Sequence, residues 1–226
     1  LGGASKSDLG VYKLDAVSTT TANSGSSSAK LSTADGVALA NGNSAQTLTI
    51  SGSAGSASTA EVAIGSSAAG FATAINLIES STGVSAKATN VAVMDGLVAD
   101  GTVSFTLGDG AGNTASVQAT VTTTDLTNLG NAINAVTAST GISASVSNGT
   151  LTMTQAQGRD IEVVSFVNTD ASGDISLSST KADGTKEDTI TLDATAAEVD
   201  DSGTVTGFVT FRSSDSFSVS SEDAES

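Results

Sequence analysis

The sequence predicts an α+β fold that is mostly β, with two β-β-α-β-β modules inserted in or appended to a β-rich base domain. Three observations carry this expectation. GFATAINLIESSTGVSAKATN, from Gly70 to Asn90, returns 58 residues later as NLGNAINAVTASTGISASVSN, from Asn128 to Asn148, with nine of 21 positions identical. Each copy joins a helical apolar spacing to a Gly and then to an alternating stretch, so each reads as one supersecondary unit. The flanks of both copies alternate apolar and polar residues, the period of half-buried strands. The 226 residues are 38% apolar, chiefly Ala and Val, and 3% aromatic, with 24 Gly. A core of such small side chains is built in thin layers, and the length suffices for one large domain or several small ones.

The base domain is expected to be discontinuous, residues 1–45 with 165–226. Val11 to Val17 is a strand candidate, Ser18 to Ala29 a loop without apolar periodicity, and Gly36 to Ala40 a weak strand ending at the turn dipeptide Asn41-Gly42. The first module, 46–102, begins with TLTISG (Thr47 to Gly52), with Leu48 and Ile50 on one face, followed by a second strand over Glu61 to Ile64. Ser66 or Ser67 is a fair N-cap, and Phe71, Ile75 and Ile78 at i, i+4 and i+7 share one helix face. Gly83 ends that helix, since a positive-φ cap needs no Cβ. Val84 to Ala88 and Val91 to Met94 then complete the unit as two short extended segments.

The second module, 103–164, repeats the plan. VSFTL (Val103 to Leu107) and SVQATV (Ser116 to Val121) precede a helix capped at Thr124 or Asp125, with Leu126, Leu129, Ile133 and Val136 on one face and Gly141 as its stop. Asn148-Gly149 turns a hairpin; at the aligned position the first module has Asn90-Val91, so its hairpin turns differently or is absent. IEVVSFV closes the second module, DISLS, TITLD, TVTGFVTF and FSVSS read as strands, and Ala194 to Val199 as a short helical turn. These last strands are expected to pair with the N-terminal segment.

Composition narrows function. There is no Cys, His, Pro or Trp, which removes disulfides, thiolate metal sites, most zinc sites and most nucleophile-and-base arrangements. No catalytic residue, cofactor or metal ligand is assigned, and an enzyme is not expected. The formal net charge of −16 argues against nucleic acid and anionic membrane as partners, and suits a protein crowded beside copies of itself. No apolar run is long enough to span a bilayer, Leu1 to Gly10 is no signal peptide, and the start at Leu1 reads as a piece of a longer protein.

The repeated unit resembles the flagellin/hook IN motif of bacterial flagellar proteins. The matching residues are Ala132, Ile133, Asn134, Thr140, Gly141, Ile142, Ser143, Ala144, Leu151, Gly158, Asp160, Ile161 and Val163, with Ala74, Ile75, Asn76, Thr82, Gly83, Val84, Ser85 and Ala86 in the first copy. The first copy has no clear counterpart of the closing G-x-D-I strand. The resemblance covers about half the sequence and implies the central variable region, of the outer D2/D3 type, of a flagellin. It implies a structural, extracellular role on the flagellar filament. Partners would be other flagellin subunits, through terminal regions absent here, and host antibodies or phage, while this fragment alone would be monomeric. Alternatives are a hook-associated or filament-cap protein domain and a cell-surface adhesin module.

Sharper chemical readings have plainer rivals. LGDGAGNTA (Leu107 to Ala115) resembles a single calcium-binding repeat, but occurs once and is read as a β-turn. ADGTKEDT (Ala182 to Thr189) and EVDDSG (Glu198 to Gly203) are read as solvated turns rather than cation sites. Asn148-Gly149-Thr150 fits an N-glycosylation sequon, yet the turn accounts for it. Asn76 and Asn134 are expected to bond to adjacent backbone rather than to a ligand.

Overall fold

The structure, a computed structural model, describes residues 12–15, 28–31, 36, 40–195 and 200–223. In order its elements are β1 (Tyr12–Asp15), β2 (Ser28–Leu31), β3 (Gln46–Gly52), β4 (Gly55–Ser58), α1 (Ala68–Leu77), α2 (Glu79–Thr82), β5 (Ser85–Asp95), β6 (Gly101–Gly108) and β7 (Thr114–Val121). They continue with α3 (Thr127–Ala135), α4 (Thr137–Thr140), β8 (Ile142–Ser147), β9 (Thr150–Gln155), β10 (Ile161–Asn168), β11 (Ile175–Thr180), β12 (Lys186–Leu192), β13 (Gly203–Thr206), β14 (Phe208–Ser213) and β15 (Ser218–Asp223). The fold is α+β and mostly β. One sheet of seven strands runs β1-β14-β5-β11-β12 and also takes β9 and β8; a second runs β2-β13-β10-β6-β7, and a third β15-β3-β4.

The second copy closes locally. β6 pairs β7, α3 crosses over, β8 pairs β9 through the Asn148-Gly149 turn, and β10 returns antiparallel to β6. The first copy closes at a distance. Its β3 pairs β4, but the partner of β5 over residues 85–89 is β14, and the strand returning to β3 is β15. The two registers coincide: Ala88 faces Val209 and Ala86 faces Phe211 in the first copy, where Val146 faces Leu151 and Ala144 faces Met153 in the second. Asn90 and Gly207 thus occupy the places of Asn148 and Gly149, with residues 91–206 spliced between them. Gly207 lies so close to Asn90 that a Cβ would be 2.8 Å from its Cα.

The closing strand that the sequence did not reveal in the first copy is therefore β15. The two segments expected over Val84 to Met94 are instead one continuous strand, β5, because its hairpin partner arrives from the far end of the sequence. Beyond residue 89 it pairs β9 over 90–94 and β11 over 92–95. β1 pairs β14 and β2 pairs β13, so the N-terminal segment meets the C-terminal strands as expected, but those strands also interleave with both repeats.

Three further expectations change. The second strand of the first copy is β4, not Glu61 to Ile64; β3 begins at Gln46, so only Val62 bridges to it and Ile64 stays 78% exposed. The N-cap of α3 by backbone geometry is Leu126, although Asp125 Oδ1 accepts the Thr127 N–H as a cap would. Ser28 and Ala29 belong to β2 rather than to the loop, whose residues 18–27 lie outside those described, as do 37–39 of the weak strand and 196–199 of the helical turn. Gly36 itself is in a turn with φ 63°.

All the buried apolar residues among those described except Val93 fall into two clusters. One, around Phe71, Ile75, Leu48, Ile50, Val209 and Phe211, serves the first copy alone; the other joins the second copy to Met94, Leu177, Leu192 and Val205. A unit with its own cluster is capable of folding apart from the rest. Deleting residues 91–206 so that Asn90 precedes Gly207 should restore a direct Asn-Gly hairpin and leave a monomer with dispersed NMR amide signals. A collapsed spectrum without long-range contacts between residues 86 and 211 would show that the splice does not describe the fold.

Candidate functional site

The two repeats build the same local device from the same residues. In each, the helix carries an asparagine whose carboxamide grips the next strand at both ends. Asn76 Nδ2 donates to the Ala86 carbonyl and its Oδ1 accepts the Ala86 N–H; Asn134 does the same with Ala144. Below it the helix breaks at Ile78 or Val136, whose N–H groups reach back only three residues, and a last turn leads to Gly83 or Gly141 in the left-handed region. Thr82 Oγ1 donates to the Ile78 carbonyl and accepts the Val84 N–H, and Thr140 repeats both bonds with Val136 and Ile142. Ile75 and Ile133 are fully buried, and Ala74 and Ala132 pack against the same clusters from half-buried positions. These side chains satisfy one another and the backbone.

The copies differ in how the helix–strand contact is filled. Gly130 on α3 faces Val146 on β8, and a Cβ there would sit 2.8 Å from Val146 Cγ2. The aligned residues are Ala72 and Ala88, both buried in the first cluster. Ala88 is small for a further reason: Gly158 of the second copy lies flat on it, with no room for a Cβ on either a steric or a conformational count, its φ being 74°.

Gly158 opens a run of three residues that ties the copies together. The Gly158 carbonyl accepts the Ala69 N–H at the start of α1, the Arg159 carbonyl accepts Asn90 Nδ2, and Asp160 Oδ2 accepts Asn41 Nδ2 at 2.8 Å. Asn41 also donates to the Gly65 carbonyl, and Asn43 to Ser66, so the segment before β3 is strapped across the seam. Ile161 and Val163, which follow in the same motif, belong to the larger cluster, as do the matched Ile142 and Leu151. The G-x-D-I spacing thus divides its duties between a seam and a core, which the sequence pattern alone does not reveal.

Burial pushes the Asp160 carboxyl up to about 6; the Asn41 bond opposes this and the charge of Glu162 adds to it. Thr206 lies close enough to ease the charge but not in bonding geometry, since its hydroxyl and Asp160 Oδ1 are both without partners. Glu162 is likewise raised, by desolvation and by Asp109. Asp109 behaves oppositely. Burial raises it, but bonds from Asn113, Arg159 and the Ala111 and Asn113 N–H groups hold it below the usual range. Its two oxygens are engaged by four donors, one of them the Arg159 guanidinium at 2.6 Å. The Gly/Asp loop that resembles a calcium repeat uses its aspartate to organise its own turn. Asp183 does the same in its loop, accepting from the Thr185 N–H and hydroxyl. Asn148, with φ 52°, and Gly149, with φ 73°, form the hairpin tip, Asn148 exposed and Gly149 half-buried.

No family model and no curated protein matches the sequence. Among solved structures it is similar to the D1-D2-D3 domains of the flagellar cap protein FliD from Escherichia coli, at 15% identity and a TM-score of 0.23, over 84% of this chain and 59% of that one. A second is the D2-D3 domains of the same protein, at 17% identity and a TM-score of 0.23, over 92% of this chain and 98% of that one. Likenesses of this size carry no argument about fold or function.

Two outcomes test the site. Gly130→Ala alone should lower stability by about 1–3 kcal/mol through overpacking, and Val146→Ala should relieve it, giving a coupling of roughly 1–2 kcal/mol in a double-mutant cycle. Strict additivity would mean the methyl exchange is not what distinguishes the copies. For Asp160, the folded carboxyl holds its proton above the unfolded value of 3.8, so its contribution is greatest below that pH and is lost as pH rises to about 6. Asp160→Asn, neutral throughout, should therefore be more stable than the parent by roughly 2–4 kcal/mol above pH 6. That gain should vanish near pH 3.8 in parallel urea titrations; a gain constant with pH would rule out a desolvated carboxyl.

Proposed function

We propose that this protein is the outward-facing central region of a flagellin, structural in role and located on the extracellular flagellar filament. The observation that carries the reading is the duplicated unit itself: the residues that resemble the flagellin/hook IN motif are those whose bonds recur in both copies. Asn76 and Asn134, Thr82 and Thr140, and Gly83 and Gly141 hold the same contacts. A charge of −16 suits domains packed densely around a filament, because like-charged neighbours resist lateral association. Polymerisation would reside in terminal regions outside these residues, so these residues alone form a monomer and their partners in place are other flagellin subunits.

The splice gives the reading a polarity. β1 pairs β14 and β15 pairs β3, both strands of the first unit, and residues 91–206 are inserted between β1 and β15. In a filament subunit that order sets the second unit, with its hairpin tip, farther from the axis, where antibodies or phage would meet it. Antibody raised against the protein should place gold along the whole flagellar filament of the bacterium that makes it, seen by electron microscopy. Gold confined to the tip or hook junction would replace this reading with a cap or hook-associated protein. Gold on the cell body alone would overturn the flagellar assignment.

A further inference from the structure

Two Asn-Gly dipeptides among the described residues are chemically alike and structurally opposite. Asn41 is 1% exposed, and its carboxamide is fixed at both ends: Nδ2 donates to the Gly65 carbonyl and to Asp160, and Oδ1 accepts the Asn43 N–H. Asn148 stands exposed at the tip of the β8–β9 hairpin, and neither its carboxamide nor the Gly149 N–H has a hydrogen-bond partner among the described residues. Gly149 brings no Cβ to shield its own nitrogen. Gly149 is itself half-buried, and the side a Cβ would occupy packs on the Thr124 backbone, whose carbonyl oxygen would lie 3.2 Å from it.

We infer that Asn148-Gly149 is a site of spontaneous covalent modification and that Asn41-Gly42 is protected from it by burial. The Gly149 amide nitrogen attacks Asn148 Cγ, forming a new C–N bond, and the bond from Cγ to the carboxamide nitrogen breaks. The proton from Gly149 leaves with the departing nitrogen as ammonia, and a five-membered imide remains. Water then adds at one of the two imide carbonyls without any redox change. Opening at the backbone carbonyl leaves an isoaspartyl link; opening at Cγ leaves an ordinary aspartate at position 148. Either adds one negative charge.

The two products differ in consequence. Aspartate tolerates the left-handed conformation and keeps the two-residue turn. The isoaspartyl link puts an extra carbon into the backbone of a loop whose length sets the register of the strands it joins. The pair next to the turn is Ser147 with Thr150 and the one after it Val146 with Leu151, and Val146 is the side chain seated against Gly130 of α3. Ageing at the tip would thus loosen the helix–strand contact of the second unit and leave the first intact. This inference does not depend on the organelle that carries the protein.

The test is to incubate the folded protein in mildly alkaline buffer beside a sample unfolded in urea. Both are then mapped by peptide mass spectrometry and isoaspartyl methyltransferase labelling. Of the two Asn-Gly pairs, the folded sample should show the acidic isoelectric shift with label at residue 148 alone, and the unfolded one at residues 41 and 148 alike; Asp-Gly pairs, which form the same imide by losing water, take label without the acidic shift. Asn148→Gln should abolish the shift in the folded protein. A folded protein unmodified at 148, where the unfolded one is modified, would show that the turn protects the pair and would overturn the inference. Equal modification of residue 41 in the folded protein would overturn the protective role of burial.

Discussion

The structure depends on β5 serving two units at once. Its first half is the third strand of the first repeat and needs β14 beside it; its second half runs on into the larger core between β9 and β11. A strand with buried positions on both stretches has its register fixed twice, because a slip of one residue would expose Ala88 and Met94 together. The splice point follows from that constraint. Asn90 is where the strand must stop being one side of a hairpin and go on straight, and its side chain bonds forward to the Arg159 and Val205 carbonyls instead of turning.

The seam beside Asn90 is polar, and this has an energetic consequence. Apolar clusters on either side bury the aliphatic and aromatic residues, while the contact between them is made by Asn41, Asn90, Asp160 and the threonines of β13. Several of these atoms are unpartnered: Asn90 Oδ1, Asp160 Oδ1, and the Thr204 and Thr206 hydroxyls. Buried polar atoms without partners are costly, so this seam adds orientation rather than stability. The hydrogen-bonded strap from Asn41 to Asn43 fixes the two copies in one arrangement, as directional bonds do and apolar contact does not.

The repeated half of this architecture was legible and the splice was not. Residues 70–90 and 128–148 gave the helices, the glycine stops and the backbone-gripping asparagines, because every bond involved spans ten residues or fewer. Asn148-Gly149 gave its hairpin for the same reason. What closes the first copy is carried by residues 207–223, where the composition and alternation resemble those of any other strand in the protein. No local signal distinguishes a strand that pairs with its neighbour from one that returns past an insertion. The error at Glu61 to Ile64 has a related cause: alternation announces a strand-like segment, but whether a partner is long enough to receive it is a property of β3. Asp160 belongs to a local motif, while its burial depends on a strap from a different part of the sequence.

Comparison of the copies separates what the unit requires from what its surroundings impose. Asparagine, threonine and glycine persist at the same places because each completes a bond that the backbone of this helix-to-strand passage leaves open, whichever core lies beneath. The apolar residues vary with the core that each copy faces. Phe71 stands where Leu129 does, and the Gly130–Val146 contact becomes Ala72 with Ala88. The second exchange follows from the seam. Gly158, whose carbonyl is held by α1, packs directly on Ala88, so a small residue suits β5 there, and the helix regains at residue 72 one of the two methyl groups that Val has and Ala88 lacks. A unit that keeps its polar fastenings and trades its methyl groups can be duplicated, split and inserted without losing its fold.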